Sequence, residues 1–300
     1  MTFKIGIDGG ATKTECILID DTGSVVARHV APGSNPSIAG ADQARLVVTD
    51  ALCALLARAR AVDAHAQIAA TRLYMAGSPP FWREFAADLV DFGTTSSADD
   101  SLPVLELATD GQSGIVLHAG TGSFVAARDL DGGIHYAGGL GWRFGDPGSG
   151  YDLGRRAIGR ALLELQGWAP PSRLGPTVRD HTLLGASADA GAVTRYFYHD
   201  QNPNQKIAGL APAILRLATE GDLTAHQLIV DSAGDLLELA ARVVAKLFPD
   251  TPADTLRAGL SGPLLTHPVV LQVLAPRSPL PLLPVTDAPI EGVRRLLART

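Results

Sequence analysis

The chain has 300 residues, of which 46% are hydrophobic and 19% are charged, and this composition excludes a mainly disordered protein. The excess of 31 acidic over 25 basic residues gives a net charge of −6, which argues against nucleic acid as a partner. Two cysteines cannot form a disulfide framework, and no stretch reaches the ~20 apolar residues that a membrane span needs. We therefore expect a cytoplasmic protein of about two domains, with no membrane partner.

The first third of the chain has the pattern of a small α/β domain. Alternating apolar and β-branched residues predict three strands, over Phe3–Asp8, Glu15–Asp20 and Ser24–Val30. After them we predict a helix, a strand, a second helix and a last strand, over Asp42 to about Ala61, Leu73–Ala76, Phe81–Phe92 and Pro103–Leu107. The first predicted domain covers residues 1–112.

The following segment repeats the opening of the chain. Strand-like Gly114–Ala119 runs into the turn Gly120–Ser123 and returns as strand-like Phe124–Arg128, which indicates a duplicated β-hairpin. Helical spacing then predicts helices over Gly150–Gln166, Asp189–Tyr198, Lys206–Thr219 and Ala225–Leu247. A strand at Thr255–Leu260 and a helix at Pro289–Leu297 follow. We expect a second, helix-rich domain over residues 113–286, and a C-terminal helix at about 287–300 that packs back on the first domain.

The turn between the first two strands, Asp8–Thr14, combines a carboxylate, glycines, hydroxyls and an ammonium group. Glycines let backbone N–H groups approach anionic oxygens, and Asp8 is placed to hold a hydrated Mg²⁺ ion that neutralises phosphates. The predicted nucleotide contacts in this turn are Gly9, Gly10, Thr12, Lys13 and Thr14. An ordinary hairpin turn is the alternative, since neither the Walker A nor the GxGxxG spacing is present.

A second turn of the same kind contains Gly120, Thr121 and Gly122. A simple tight turn would use the same residues. Because both turns occupy the same place in a repeated hairpin, we predict that they face each other and clamp one polyphosphate.

Asp110 stands a few residues before the second turn and is a candidate general base. Phosphoryl transfer to a sugar hydroxyl needs an acceptor for the hydroxyl proton, and an aspartate within hydrogen-bond reach supplies one. A helix cap or an Asx turn is the alternative explanation for an Asp-Gly step.

Glycines are concentrated at residues 138–150, around one tryptophan, one arginine and one aspartate. Main-chain groups in such a segment can approach a ligand closely. Asp146 either accepts hydrogen bonds from sugar hydroxyls or, with Ser149, caps the following helix. Asn35 is either a turn former or a polar ligand contact. The eight histidines show no metal-binding spacing.

The order of these motifs resembles the actin-like superfamily of sugar kinases, heat-shock 70 proteins and actin. Within it, the chain is similar to the BadF/BadG/BcrA/BcrD ATPase family, which includes N-acetylglucosamine and glucosamine kinases. The resemblance implies an α/β fold of two ribonuclease-H-like domains that close over Mg-ATP, and it implies a homodimer. The residue roles that it implies are a catalytic base at Asp110, sugar contacts at Asn35, Asp110, Gly139 and Asp146, and a nucleotide contact at Gly262.

The function that we expect is transfer of the γ-phosphoryl group of ATP to the C6 hydroxyl of an amino sugar. One alternative, also suggested by the family, is an ATPase that activates a 2-hydroxyacyl-CoA dehydratase through a shared iron–sulfur cluster. That role needs cysteine ligands, whereas packing is the expected role of Cys16 and Cys53. A non-catalytic sugar sensor of the same fold is the other alternative.

Overall fold

A computed structural model describes residues 1–144 and 146–299. The chain divides into two compact units, one formed by Met1–Gly111 with the segment from Asp287 onward, the other by Gln112–Thr286. Within the described ranges, no helix is both long and apolar enough to span a bilayer.

In chain order, the strands are β1 (Thr2–Gly9), β2 (Lys13–Asp20), β3 (Val25–Pro32), β4 (Gln67–Met75), β5 (Thr94–Asp99), β6 (Gly114–Ala119), β7 (Ser123–Arg128), β8 (Ile134–Gly138), β9 (Arg257–Ser261) and β10 (Leu282–Pro284). The helices are α1 (Pro36–Ala39), α2 (Ala41–Val62), α3 (Pro79–Ala87), α4 (Ser101–Thr109), α5 (Gly150–Leu165), α6 (Leu174–Thr182), α7 (Ala190–Tyr198), α8 (Pro203–Ala208), α9 (Ala211–Thr219), α10 (Leu223–Leu247), α11 (Pro268–Leu274) and α12 (Pro289–Ala298).

Both units are built on a five-stranded mixed sheet with the same topology. The first sheet has the order β3-β2-β1-β4-β5, and the second, taken from its opposite edge, has the order β8-β7-β6-β9-β10. In each sheet the first three strands form an antiparallel meander, and the last two are parallel to the first strand. The predicted α/β fold with two ribonuclease-H-like domains and a repeated hairpin is therefore confirmed.

Helix α12 packs closely on β1 and α4 in the first unit because glycines stand at the contacts. A Cβ at Gly6 would lie 2.3 Å from Val293 Cγ1, and a Cβ at Gly292 would lie 2.1 Å from the carbonyl oxygen of Pro103. The second contact is with backbone, which cannot move aside as the end of a side chain can. Gly292 therefore determines how near α12 comes to α4.

We expect Gly292→Ala to destabilise the protein by about 2 to 3 kcal/mol, because overpacking against backbone outweighs the better helix propensity of alanine. The matched control is Gly159→Ala in α5, where a Cβ would meet nothing within 4 Å. That variant should be unchanged or slightly more stable. Urea denaturation of both variants is the measurement, and equal midpoints for the two would contradict the packing argument.

The structure corrects the sequence prediction at the end of the first unit. The predicted strand at Pro103–Leu107 is wrong, because these residues lie in α4, where Pro103 occupies the first turn and needs no N–H partner. The strand that completes the sheet is β5, with the sequence TTSSAD. It lies at the sheet edge, its side chains are mostly exposed or half-buried, and it therefore lacks the apolar alternation of a typical strand.

Smaller differences concern the second unit. The single helix predicted over Lys206–Thr219 is divided into α8 and α9, which are separated at Gly209 and Leu210. Strands β8 and β10 and helices α6 and α11 were not predicted, because each is short, with nine residues or fewer.

Candidate functional site

The first turn projects an exposed tip from the end of β1. The backbone N–H of Gly10 donates to the carbonyl of Lys13 (2.9 Å), and Ser34 N–H donates to the carbonyl of Gly10 (3.1 Å), which ties the turn to the segment after β3. Ala11, Thr12 and Lys13 are exposed. The hydroxyl of Thr12 is therefore available to an anionic ligand, whereas Lys13 Nζ is paired with Glu15 (2.7 Å).

Two of the residues predicted to contact nucleotide, Thr14 and Gly9, are buried. Thr14 is fully buried, and its hydroxyl donates to the carbonyl of Pro32 (2.8 Å) and lies 2.8 Å from Ser34 Oγ. Gly9 is also buried, and a Cβ there would lie 2.2 Å from Met75 Cε. Thr14 and Gly9 therefore hold the turn in place. The exposed residues among the predicted nucleotide contacts are those at the tip of the turn.

Carboxylates gather at the carboxyl ends of the parallel strands in the first sheet. Asp8 is the next-to-last residue of β1. Gly9, which ends the strand, is in register with Met75 of β4, and Met75 is in register with Asp99 of β5. Burial raises the pKa of Asp8 to about 7, with a further contribution from Glu15 and an opposing one from Lys13. A nearby cation would stabilise the ionised form of a carboxyl whose pKa is raised in this way.

Asp100 immediately follows β5 and is half-buried. Burial raises the pKa of its carboxyl, and the negative charges of Asp99 and Asp8 raise it further. Its neighbour Asp99 accepts a hydrogen bond from the backbone N–H of Ser101 (2.9 Å), which fixes the start of α4. Asp100 is thus the carboxylate at the end of β5 that interacts electrostatically with Asp8.

Asp110 lies at the other end of α4, which is nine residues and about 14 Å long. It caps the helix in the left-handed conformation (φ 53°), and its side chain is 65% exposed, with Oδ1 3.7 Å from both Arg295 and Arg299. Arg299 also pairs with buried Glu106 (2.7 Å). The helix therefore separates Asp110 from Asp8, which argues against its predicted roles as catalytic base and sugar contact. The helix-cap interpretation is the one observed.

The second turn is held by the start of α5. Gly120 N–H donates to the carbonyl of Gly122 (2.9 Å), while Gly150 and Tyr151 N–H groups donate to the carbonyls of Gly120 (2.8 Å) and Thr121 (3.2 Å). Thr121 is exposed, so that its hydroxyl can reach a ligand. The turn thus has a rigid base and an exposed tip, as the first turn does.

Gly262 lies directly against this second turn. It has a φ of +87°, and a Cβ there would be 2.2 Å from the carbonyl oxygen of Ala119. Only glycine combines this left-handed conformation with such a close backbone approach. The structure therefore brings Gly262 beside the second turn, although they are remote in sequence.

Asp146 is buried, being 5% exposed, and adopts a left-handed conformation with φ 65°. A Cβ at Gly122 would lie 2.8 Å from its Oδ2, so the carboxyl adjoins the second turn. Its Oδ1 is buried and has no hydrogen-bond partner among the described residues. Burial raises the pKa of Asp146, and backbone N–H groups of Gly141 and Ser123 act in the opposite direction. Such an oxygen is well suited to accept a hydrogen bond from a ligand hydroxyl.

The other residues of the glycine-rich segment have defined roles. Ser149 is the N-cap of α5, because its Oγ accepts the backbone N–H of Asp152 (3.0 Å). Asp146 is therefore not the cap. Gly139 has a φ of +62°, and a Cβ there would lie 2.1 Å from the hydroxyl of Tyr136. Gly145 of this segment lies outside the described residues.

Asn35 is the N-cap of α1 in the first unit. Its Oδ1 accepts the backbone N–H of Ser37 (2.9 Å), and a Cβ at Gly77 would lie 2.8 Å from the same oxygen. The turn-forming role of Asn35 is thus observed. Its contact with a sugar stays a prediction.

In the described part of the chain, the two cysteines do not form a binding site for an iron–sulfur cluster. Cys16 is buried, and burial together with Asp8 and Glu15 raises its pKa to about 12, which disfavours the thiolate that binds metals. Cys53 is exposed on α2, so the prediction that it packs in the protein interior is wrong. Within residues 1–144 and 146–299, no group of three or more His, Cys, Asp or Glu side chains is arranged to hold a metal ion.

The principal site residues that the sequence analysis missed are Asp99 and Asp100. The only local signal was a pair of aspartates after a short run of Thr and Ser, which has no apolar pattern. Recognising this run as the fifth strand of the repeated fold would have placed both carboxylates at the same sheet edge as Asp8.

Together, the topology and the two exposed turns define a protein with the two-domain fold of actin-like sugar kinases. Residues 5–262 match the pattern of the BadF/BadG/BcrA/BcrD ATPase family, and the chain belongs to this family. The resemblance inferred from the sequence motifs is thereby confirmed.

Individual relatives agree with this family membership. The chain is 27% identical to the N-acetyl-D-glucosamine kinase of Dictyostelium discoideum, over 81% of this chain and 79% of that protein. It is 24% identical to the N-acetylmuramic acid/N-acetylglucosamine kinase of Clostridium acetobutylicum, over 82% and 81%. A crystal structure from Chromobacterium violaceum, provisionally assigned as an N-acetylglucosamine kinase, is similar with a TM-score of 0.80, 28% identity and 98% coverage of both chains.

Proposed function

We propose that this protein is an ATP-dependent sugar kinase that phosphorylates the C6 hydroxyl of an amino sugar, N-acetylglucosamine or glucosamine. The observation that carries the proposal is the half-buried carboxyl of Asp100 at the end of β5, whose pKa is raised by burial and by Asp99 and Asp8. A carboxylate with increased proton affinity is suited to act as a general base. The names of two relatives support N-acetylglucosamine as the acceptor.

In this proposal Asp100 orients the sugar hydroxyl and accepts its proton. The hydroxyl oxygen forms a bond to the γ-phosphorus while the bond between that phosphorus and the β,γ-bridging oxygen breaks, and ADP leaves. Asp100 acts at the acceptor side of this transfer and does not become covalently modified.

The residues of the first unit fit a hydrated Mg²⁺ ion that accompanies ATP. Mg²⁺ usually retains several waters and needs only one or two protein carboxylates, and Asp8, crowded by other acids, supplies one. When bound, the ion neutralises phosphate charge. Asp8 is thus the proposed ligand, with the other contacts left to water and phosphate.

The exposed tips of the two turns are the proposed phosphate contacts. In the first turn these are Gly10, Thr12 and Lys13, although Lys13 Nζ is paired with Glu15 (2.7 Å) in this structure. In the second they are Gly120, Thr121 and Gly122, with Gly262 beside them. Because the N–H groups of Gly10 and Gly120 donate within their own turns, the hydroxyls of Thr12 and Thr121 are the proposed donors to anionic oxygens.

Asp146 is the proposed principal sugar contact. Its unpartnered Oδ1 can accept a sugar hydroxyl donor. Gly139 is proposed as a main-chain contact, since Tyr136 occupies the position that a Cβ there would take. Asn35 is proposed as a further contact. A sugar with several hydroxyls would thus satisfy a buried acceptor that the protein leaves open.

The proposal is tested by an ADP-release assay with ATP, Mg²⁺ and a panel of N-acetylglucosamine, glucosamine, N-acetylmuramic acid and glucose. We expect ADP release that depends on one of the amino sugars, and a phosphorylated sugar detected by mass spectrometry. ADP release at the same rate without sugar would favour an ATPase, and no release with any sugar would favour a sensor.

A further inference from the structure

Ser123 is a buried residue at the start of β7, adjoining the second turn. Its hydroxyl donates a short hydrogen bond to the carbonyl of Pro147 (2.6 Å). Its own carbonyl accepts the backbone N–H of Gly139 (3.0 Å). One residue therefore contacts the glycine-rich segment on both sides of Asp146, at Gly139 and at Pro147.

This segment needs such support because much of its backbone is in the left-handed region. Gly139, Gly141 and Gly148 have φ values of 62°, 86° and 74°, and Asp146, which is not glycine, has a φ of 65°. A non-glycine residue in this region costs free energy and persists only where its surroundings hold it. Contacts on either side of Asp146 therefore decide whether its carboxyl keeps this orientation.

The hydroxyl of Ser123 acts on the residue directly after Asp146. The hydrogen bond fixes the peptide between Pro147 and Gly148, one residue beyond Asp146, and the Asp146 Oδ2 lies close to Gly122. Its Oδ1 then remains buried and unpartnered. The hydrogen bond is thus placed to control the direction in which Asp146 offers its free oxygen.

We propose that Ser123 is a positioning residue that orients Asp146 toward the sugar, in contrast to the neighbouring turn residues, which contact nucleotide. The inference rests on the proposed function, because it assigns the sugar to Asp146. It predicts that loss of the Ser123 hydroxyl lowers the affinity for sugar and leaves the affinity for ATP unchanged.

The test compares Ser123→Ala with the wild type in steady-state kinetics. We expect the KM for the amino sugar to rise about tenfold, as for loss of one well-placed hydrogen bond, while the KM for ATP stays within about twofold. Ser123→Thr keeps the hydroxyl and should recover most of the affinity for sugar. The matched control is Thr182→Val, because Thr182 is also buried in the second unit and donates to a backbone carbonyl, that of Arg179 (2.8 Å).

Thr182→Val should lose stability to a similar extent as Ser123→Ala but keep both KM values. An unchanged KM for sugar in Ser123→Ala would overturn the inference while leaving the kinase proposal intact. Equal increases in both KM values would also overturn it, because they would indicate a general structural role. A wild-type protein that phosphorylates no sugar would overturn the proposed function and this inference together.

Discussion

Asp100→Asn is expected to lower kcat by about 10² to 10⁴-fold, because the variant has no group to accept the proton of the attacking hydroxyl. Asparagine has nearly the same shape, so binding of ATP should change little. The burial and negative neighbours of Asp100 make this the carboxyl of the first unit that is best suited to be a base. Turnover with saturating ATP and sugar measures the effect, and ATP affinity is measured separately by calorimetry.

Asp110→Asn is the matched control for that variant. Asp110 is an exposed helix cap in the left-handed conformation, which asparagine also tolerates, and it is separated from Asp100 by the length of α4. We expect a kcat close to that of the wild type. Near-normal turnover in Asp100→Asn together with a large loss in Asp110→Asn would reverse our assignment of the base.

Asp146→Asn is expected to lower kcat/KM for the sugar by about 10 to 100-fold, which corresponds to weakening a charged hydrogen bond to a substrate hydroxyl. The affinity for ATP should be retained, since the nucleotide contacts lie in the turns. Kinetics with sugar and ATP varied in turn would separate the two effects. An unchanged kcat/KM for sugar would remove Asp146 from the sugar site.

The same substitution should raise the stability of the protein at neutral pH. The folded-state pKa of Asp146 is raised, mainly by burial, so the ionised carboxyl disfavours the folded state, and this cost develops as pH rises from the ordinary aspartate value through the raised one. Asparagine carries no charge and avoids the cost. Asp146→Asn should therefore have a higher melting temperature than the wild type at neutral pH. The difference in melting temperature should become smaller at acid pH.

Asp152→Asn provides a contrast within the same unit. Burial acts to raise the pKa of Asp152, but hydrogen bonds from Arg156, Ser232 and Arg155 outweigh it, and the pKa is lowered. Its carboxylate therefore contributes stability above the ordinary aspartate pKa, and that stability is lost as pH falls through the lowered value. Asp152→Asn should lower the melting temperature at neutral pH. A stabilised Asp152→Asn and a destabilised Asp146→Asn would contradict the roles that we assign to burial and pairing.

Much of the fold followed from local patterns. Apolar alternation on either side of Asp8–Thr14 and of Gly120–Ser123 indicated two equivalent hairpins, because a strand with one buried face must place its side chains with a period of two. The α4 segment could not be assigned in this way, since a short apolar run fits a buried strand or a helix equally well. Polar β5 had no pattern to detect.

For the candidate site, the amino-acid sequence by itself determined the two turns, the duplicated hairpin and the glycine-rich segment around Asp146, because each depends on residues that are neighbours in the chain. Only the tertiary structure decided that Asp100 and not Asp110 lies at the same sheet edge as Asp8, that Thr14 faces inward, and that Gly262 adjoins the second turn. The physical reason is that the burial of a carboxyl, and repulsion such as that of Asp100 by Asp8, depend on groups far away in the sequence, which strand pairing brings together.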